Sequence, residues 1–543
     1  MGYSYEIRDF DAGGRIGKFK LGEKILDTPN LFPVVSPFEN LIPPKDLYHH
    51  FGVQSIFTNA YILYKNQEKN LEIISKGLHK HLEFPGIIAT DSGAFQDYMY
   101  AGEIKIQPDE IEPFQEQIGS DCPVILDIPV QTTDPFELAE NKINKTIHRA
   151  KENVLRRKRD DTAWFGPIHG SIYPELLKKS AIEMSKLDFG IYAIGGVVKT
   201  FIDYRFDLDV AILLEVKKWL RADRPLHMFG LGLPAFFSLA VACGADLFDS
   251  AAYILYAKDD RYFTLTGTKS LRDLYEFPCH CPVCTSYTPQ ELMKEDKQIR
   301  IVALAKHNLY HSFSEIRTIR NSIKEGTLWD LVEHRVHAHP KFIKALKVVK
   351  NNPEQFLNLL NLNQSRGQMI LSDLSVYRPH FQYFRLKVAN YTIPKERTHL
   401  FFIPELDLPS IQSNSVKNWI KLLKKHPQWP EMQLCLVSNI LGIIPLELAE
   451  IYPASQHEGT VDPFQYVNLL HLLEKEISRF FTRNDIRSRQ ISILIPDTFR
   501  NEYQEEESFP IKTHIISILK DIIIKISHEA DISILHNIPQ KKE

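Results

Sequence analysis

The chain has 543 residues, too many for one hydrophobic core, so its length predicts about two to four domains. Hydrophobic residues make up 44% and charged residues 24%, which is typical of a soluble globular protein and not of a membrane protein. The formal net charge of −3 gives no global sign of nucleic-acid binding. The first ten residues lack the apolar stretch of a secretory signal, and with the clustered thiols described below they predict a cytoplasmic location.

From about residue 85 to residue 250, short apolar runs alternate with amphipathic stretches. The apolar runs predict buried strands at residues 85–90, 123–128, 164–168, 189–194, 225–229 and 245–248. The amphipathic stretches predict helices at residues 136–158, 173–187 and 234–243. Repeated strand–helix units indicate a parallel sheet with helices outside it.

Polar and glycine residues follow the ends of these strands, among them Asp91, Asp127, His169, Gly196 and Asp249. In a (β/α)8 barrel such strand ends meet at one face, where active sites are built. A doubly wound open sheet would also collect them at one edge. The first helix is not opened by G-x-G-x-x-G, and six such strand ends favour the barrel. We therefore expect an α/β fold with a TIM-like (β/α)8 barrel.

Two aspartates, Asp91 and Asp249, close two different strands in small-residue surroundings. Cleavage at an anomeric carbon needs two carboxylates that face one pocket. One attacks the sugar or shields its positive charge, and the other moves a proton at the leaving or entering group. The alternative is that both aspartates cap the following helices, where Asp is common.

Three cysteines, Cys279, Cys281 and Cys284, lie within six residues, and His307 follows 23 positions later. Four Cys/His ligands form a closed tetrahedral zinc site, which indicates a structural rather than a catalytic metal. A disulfide between Cys279 and Cys281 would have poor geometry with one intervening residue. His280 is the alternative fourth ligand, but a residue between two ligands usually points away from the metal.

The pattern changes after Pro340. Lys341, Lys344, Lys347 and Lys350 recur every three residues, which places them along one side of a helix, as a solvated face or a phosphate contact. The chain is expected to divide into a catalytic barrel at residues 1–350 with its zinc insertion at about 277–310, a linker at 351–369, and a smaller accessory α/β domain at 370–543.

Several short motifs occur in this order along the chain: DSGAFQ at 91–96, LDIP at 126–129, GSIYP at 170–174, IGGVV at 194–198, LFDSAAY at 247–253 and CHCPVC at 279–284. With them, the chain from about residue 30 to residue 340 resembles archaeal tRNA-guanine transglycosylase. The resemblance implies exchange of the D-loop guanine at position 15 of tRNA for 7-cyano-7-deazaguanine, through a covalent aspartyl–ribose intermediate, in archaeosine biosynthesis. It also implies a homodimer and one structural Zn²⁺ per chain.

The resemblance assigns roles to single positions. Asp249 matches the nucleophile, and Asp91 matches the acid/base residue. The positions that match the base pocket are Ser92, Phe95, Asp127, His169, Gly196, Val197 and Val198. The positions that match the zinc ligands are Cys279, Cys281, Cys284 and His307.

Two departures from the family pattern stand out. His169 occupies a position where the family normally carries Gln, so its contact with the entering base must differ. No segment resembles the C-terminal PUA module that grips tRNA in the archaeal enzymes, so that module is expected to be absent or supplied by a separate polypeptide. Alternative functions are an archaeosine synthase-like enzyme, disfavoured because both aspartates are present, and a non-catalytic tRNA-binding subunit. No contact with a membrane is expected.

Overall fold

The computed structural model describes residues 2–94, 106–350, 352, 356, 360, 366–404, 410–438, 440–459, 466–486, 489–494, 518–525 and 532–535. The chain forms two compact units, Met1–Gln355 and Phe356–Glu543. Both are mixed α/β units. Across the described residues, every helix is too short or too polar to span a lipid bilayer.

The first unit begins with an antiparallel sheet. Its strands are β1 (Tyr3–Asp11), β2 (Gly14–Leu21) and β3 (Lys24–Thr28). This sheet lies outside the architecture that the strand–helix alternation predicted. Phe19 and Leu26 of the sheet are fully buried in the same apolar cluster as Phe57 and Phe165 of the following parallel strands, so the sheet extends their core.

Eight parallel strands follow. They are β4 (Asn30–Pro33), β5 (Ser55–Asn59), β6 (Ile87–Asp91), β7 (Cys122–Pro123), β8 (Phe165–Ile168), β9 (Ile191–Ile194), β10 (Leu226–Met228) and β11 (Leu247–Ser250). One sheet has the order β4-β11-β10-β9-β8, and the other has the order β5-β6-β7. Parallel bridges join Val34 to Phe57 and Val124 to Phe165, which link β4 to β5 and β7 to β8.

Helices connect these strands and continue beyond them. Their bounds are Pro44–Phe51, Ala60–Lys65, Gln67–Lys76, Leu78–Leu82, Pro108–Gln117, Phe136–Arg156, Pro174–Ser185, Val198–Ile202, Phe206–Lys217, Pro234–Ala242, Ala252–Lys258, Pro282–Ser286, Pro289–Lys294, Lys297–Glu325, Leu328–Val336 and Pro340–Val349. Several begin with proline, whose missing N–H and fixed φ suit the first helical position. A hairpin of β12 (Arg261–Thr264) and β13 (Gly267–Ser270) lies between the last parallel strand and the cysteine cluster.

Most of the strand predicted at 123–128 is wrong, because β7 ends at Pro123 and only an isolated bridge at Val124 follows it. Neighbouring side chains bind this backbone in place of a strand. The Ser92 hydroxyl donates to the Ile125 carbonyl at 3.0 Å, and the Ile128 N–H donates to the Thr146 hydroxyl at 3.0 Å. The Arg149 guanidinium donates to the Leu126 carbonyl at 2.9 Å. The segment that carries Asp127 is therefore a loop held by hydrogen bonds.

The second unit contains a five-stranded sheet of order β17-β16-β15-β19-β20. The strands of the unit are β14 (Gln368–Ile370), β15 (His399–Pro404), β16 (Met432–Ser438), β17 (Gly442–Pro445), β18 (His457–Gly459), β19 (Gln490–Leu494) and β20 (Ile532–Leu535). Its helices are Pro379–Ala389, Asn414–Leu423 and Tyr466–Arg483. Most of the segment predicted as a linker, 351–369, lies outside the described residues.

Candidate active site

Asp249 lies in β11, where its Cα is paired with that of Phe32 in β4. Its Oδ1 is 2.7 Å from Nε2 of His227 and 3.0 Å from the backbone nitrogen of Gly230. The following helix, Ala252–Lys258, takes Ala251 as its N-cap. The carboxylate therefore does not cap that helix, and its partners come from β10 and the loop after it.

Gly230 can donate to Asp249 because of its backbone conformation. Its φ is +76°, in the left-handed region that favours glycine. A Cβ at this position would lie 2.6 Å from Cγ2 of Val198, so a larger residue would also clash with the loop after β9. The glycine is thus required both by the turn and by the close approach of its neighbour.

Asp91 ends β6 and is paired with Asn59 at the end of β5. Its Oδ2 accepts a hydrogen bond from the Asn59 amide at 3.3 Å, and its Oδ1 accepts one from the Gly93 N–H at 3.2 Å. Burial raises the pKa of the Asp91 carboxyl to about 7. The Gly93 hydrogen bond opposes that shift, whereas the negative charges of Asp127 and Asp249 add to it. The three carboxylates are therefore close enough to interact.

Asp127 and His169 form a buried pair. Nε2 of His169 lies 2.5 Å from Oδ2 of Asp127, and the side chains are 2% and 9% exposed. A carboxylate can only accept, so Nε2 carries the hydrogen. Nδ1 of His169 has no hydrogen-bond partner among the described residues. A Cβ on Gly195 would lie 2.4 Å from Cε1 of His169, so the imidazole lies directly against the backbone after β9.

The other predicted pocket positions fall on the same strand ends, with one exception. Ser92 is fully buried, and its hydroxyl is used by the Ile125 carbonyl. Gly196 has φ +77° and precedes Val197, which is buried, and Val198, which begins a short helix. Phe95 lies outside the described residues.

Two polar residues that contact the carboxylates were missed by the sequence analysis. Asn59 was missed because β5 was not predicted, although an asparagine that ends an apolar run, SIFTN, is a usable signal. His227 lies inside a run that was predicted as a buried strand. A single histidine in an apolar strand gives no sequence signal that separates a carboxylate partner from a core residue.

Cys279, Cys281, Cys284 and His307 lie together, with their ligand atoms all within 4.8 Å of one another. Sγ of Cys281 is 3.5 Å from Sγ of Cys284 and 3.5 Å from Nδ1 of His307. Tetrahedral zinc with sulfur at about 2.3 Å separates its ligand atoms by about 3.5–3.8 Å, so this group fits such an ion.

The surroundings of His307 fix its orientation. Its Nε2 is 2.9 Å from the Phe263 carbonyl, to which it donates, so the lone pair of Nδ1 is directed at the sulfurs. Tyr262 stacks on the imidazole at 3.6 Å between ring centroids, and its hydroxyl is 3.3 Å from Sγ of Cys284. Together, the four ligands Cys279, Cys281, Cys284 and His307 could hold a metal ion, with no position left for a substrate.

Comparisons with known proteins found relatives that match most of this chain. A family model described as Queuine tRNA-ribosyltransferase matches residues 9–341. The tRNA-guanine(15) transglycosylase of Methanocaldococcus jannaschii is 38% identical over 486 residues, which cover 88% of this chain and 70% of the relative. The enzyme of the same name from Methanococcus aeolicus is 38% identical over 462 residues, covering 83% and 68%. That of Pyrococcus furiosus is 45% identical over 343 residues, covering 63% and 58%.

The raised pKa of Asp91 predicts a pH-dependent gain in stability for Asp91→Asn. The folded state holds the carboxyl proton more tightly than the unfolded state, so the stability that Asp91 contributes at low pH is lost as the pH rises from about 4 to 7. Asparagine does not ionise. We expect the variant to melt about 2–5 °C above the wild type at pH 8, with the gap shrinking towards pH 4, by differential scanning fluorimetry.

Asp161→Asn is the matched control. The hydrogen bond from the Arg159 guanidinium lowers the pKa of this exposed carboxyl, so its replacement should cost stability at pH 8 and not at pH 3. A difference in Tm between Asp91→Asn and the wild type that stays constant from pH 4 to pH 8 would contradict the assignment.

Proposed function

The chain belongs to the queuine tRNA-ribosyltransferase family, and from this membership we propose that it is a tRNA-guanine transglycosylase of the archaeosine type. It exchanges the guanine at position 15 of tRNA for 7-cyano-7-deazaguanine. The reaction is a pentosyl transfer. The observation that carries the proposal is a pair of carboxylates at the ends of parallel strands, each in a different environment. Asp249 has two N–H donors on one oxygen, whereas Asp91 has a pKa of about 7.

The first unit is proposed to form a closed (β/α)8 barrel. The two bridges, Val34 to Phe57 and Val124 to Phe165, support this closure, because each joins neighbouring edges of the two parallel sheets. A ring of eight parallel strands directs all of their carboxyl ends to one face. The reacting base and ribose would bind at that face.

In the first step a carboxylate oxygen of Asp249 attacks C1′ of the target ribose. The C1′–N9 bond breaks, its electron pair goes to N9, and N9 takes the proton of Asp91. In the second step N9–H of the entering base loses its proton to Asp91, N9 attacks C1′, and the aspartyl ester breaks. Two inversions retain the configuration at C1′.

Asp91 has to give a proton in one step and accept one in the other. A general acid/base works best in both directions when its pKa is near the working pH. Burial and the neighbouring carboxylates bring the pKa of Asp91 to about 7, which suits both roles. The target base has to leave the tRNA stack, since C1′ is otherwise inaccessible.

His169 and Asp127 are proposed to read the entering base together. The imidazole holds Asp127 through its Nε2–H, which fixes the orientation of that carboxylate. Oδ1 of Asp127 can then accept from the amino-pyrimidine edge. The remaining pocket is proposed to consist of Ser92, Phe95, Gly196, Val197 and Val198.

The tRNA backbone is proposed to contact the lysines of helix Pro340–Val349. Lys341 and Lys347 are exposed, and Nζ of Lys344 is 2.8 Å from Asp207. Phosphate contacts supply much of the affinity of nucleic-acid binding. A homodimer and a separate PUA-containing polypeptide remain predictions from the resemblance. Light scattering with and without tRNA would test the homodimer.

The cysteine cluster is proposed to hold one structural Zn²⁺. The spacing of the four ligand atoms supports this, as does the hydrogen bond that turns Nδ1 of His307 towards the sulfurs. Bound zinc would supply fold stability, joining the cysteine loop to helix Lys297–Glu325.

Asp249→Asn should abolish base exchange. An amide oxygen is a poor nucleophile, so we expect incorporation of labelled guanine into tRNA to fall by at least about 1000-fold, with no covalent tRNA adduct in denaturing gels. Exchange by this variant at the wild-type rate would reject the nucleophile. A wild type that binds tRNA and exchanges no base would favour the non-catalytic subunit.

His169→Ala should weaken binding of the entering base without slowing its chemistry. The change removes the donor that holds Asp127, so KM for 7-cyano-7-deazaguanine should rise about 10- to 100-fold. We expect kcat to stay within about threefold. His169→Gln is the control. It places an amide N–H donor at this position and should therefore recover most of the affinity. Equal KM values in wild type and His169→Ala would contradict the proposal.

Cys281→Ser should lose zinc and stability together. We expect about one zinc per wild-type chain by mass spectrometry of metals, little in the variant, and a Tm lower by at least about 5 °C. His280→Ala changes a residue inside the same loop and should keep its zinc. Loss of zinc from His280→Ala would assign the fourth ligand to His280 instead of His307.

A further inference from the structure

His227 is a buried histidine that directly contacts the carboxylate of Asp249. It lies in the middle of β10, is 0% exposed, and places Nε2 at 2.7 Å from Oδ1 of Asp249. Oδ1 also receives the Gly230 N–H at 3.0 Å. Among the described residues no hydrogen bond to Oδ2 is found. The two oxygens of this carboxylate are therefore in different environments.

An aromatic cage surrounds the imidazole. Its centroid is 5.0 Å from the ring of Phe229, 5.2 Å from Phe165, 5.8 Å from Phe32 and 6.1 Å from Phe57. Three of these rings, Phe32, Phe57 and Phe165, are themselves buried. The cage fixes the plane of the imidazole, because the packed rings leave it no room to turn.

The tautomer of His227 follows from its partners. Oδ1 of Asp249 can only accept, so Nε2 carries the hydrogen. Nδ1 is buried and has no hydrogen-bond partner among the described residues. A hydrogen on Nδ1 would therefore point into apolar rings, which favours the tautomer with its hydrogen on Nε2 alone. The single N–H of the His227 imidazole, on Nε2, is therefore directed at Asp249.

We propose that His227 is a positioning residue for the nucleophile, an inference that rests on the proposed transglycosylase function. Two N–H donors hold Oδ1, so Oδ2 is the oxygen that attacks C1′. In the ester intermediate the bonds are Oδ2–C1′ and Cγ=Oδ1, and the same donors stabilise the carbonyl oxygen. When the entering N9 bonds to C1′, the electron pair of the Oδ2–C1′ bond returns to the carboxylate. His227 neither gains nor loses a proton.

The test compares His227→Leu with wild type. Leucine suits the phenylalanine cage and removes only the donor, so the Tm should stay within a few °C. Loss of the donor lets the carboxylate turn away from C1′, and a misplacement of about 1 Å typically slows the chemical step by about 100-fold. We expect that fall in kcat and in the single-turnover rate of adduct formation, with KM for tRNA within about twofold. His227→Gln, which retains an N–H, should recover part of the rate.

His79→Leu is the matched control, because Nε2 of His79 is 3.0 Å from Asp121 in another histidine–carboxylate pair away from Asp249. It should lower the Tm and leave kcat per folded molecule unchanged. A wild-type kcat in His227→Leu would overturn the proposal. So would a lower Tm in His227→Leu with no loss of rate, the result expected for His79→Leu.

A crystal structure of His227→Leu separates this inference from the proposed function. We expect the Asp249 carboxylate to rotate or to occupy two rotamers once the donor is gone. An unchanged carboxylate overturns the positioning role even if the wild type exchanges base. Rotation of the carboxylate supports the role even if wild type lacks exchange, in which case only the proposed function fails.

Discussion

Parallel pairing of the strands is the constraint on which the site depends. The register pairs Asn59 with Asp91 across β5 and β6, and it pairs Phe32 with Asp249 across β4 and β11. Each polar residue therefore comes at the end of its strand, on the side where the neighbouring strands also end. A shift of one residue would turn the side chain to the opposite face of its sheet. The arrangement of the carboxylates is thus a consequence of backbone hydrogen bonding.

Burial then makes the carboxylates chemically different from one another. Burial raises the pKa of Asp91 to about 7, and the negative charges of Asp127 and Asp249 add to that rise. Asp249 is held by the imidazole of His227 and the Gly230 N–H, and Asp127 by His169. Three residues of one type thus acquire three sets of partners. Such a site costs stability, because clustered charges repel each other in a medium of low polarity.

Much of the fold was predictable because its periodicity is local. Strands at 164–168, 189–194 and 225–229 contain β8, β9 and β10, since buried parallel strands are continuous apolar runs. The first two parallel strands, β4 and β5, were missed, as was the early end of β7. The loop after it is held by hydrogen bonds with Ser92 and Thr146, which are remote in sequence and invisible to any local pattern.

By itself the sequence determined the alternation of strands and helices, the two aspartates and the cluster of Cys279, Cys281 and Cys284, because these depend on residue type and spacing. Only the tertiary structure decided that His307 lies beside the cysteines, and which side chains contact the two aspartates. His227 lies 22 residues before Asp249, and Asn59 lies 32 residues before Asp91, and parallel pairing brings each of them to its aspartate. Hydrogen-bond partners and burial depend on distances between remote segments, and these distances exist only after the chain has folded.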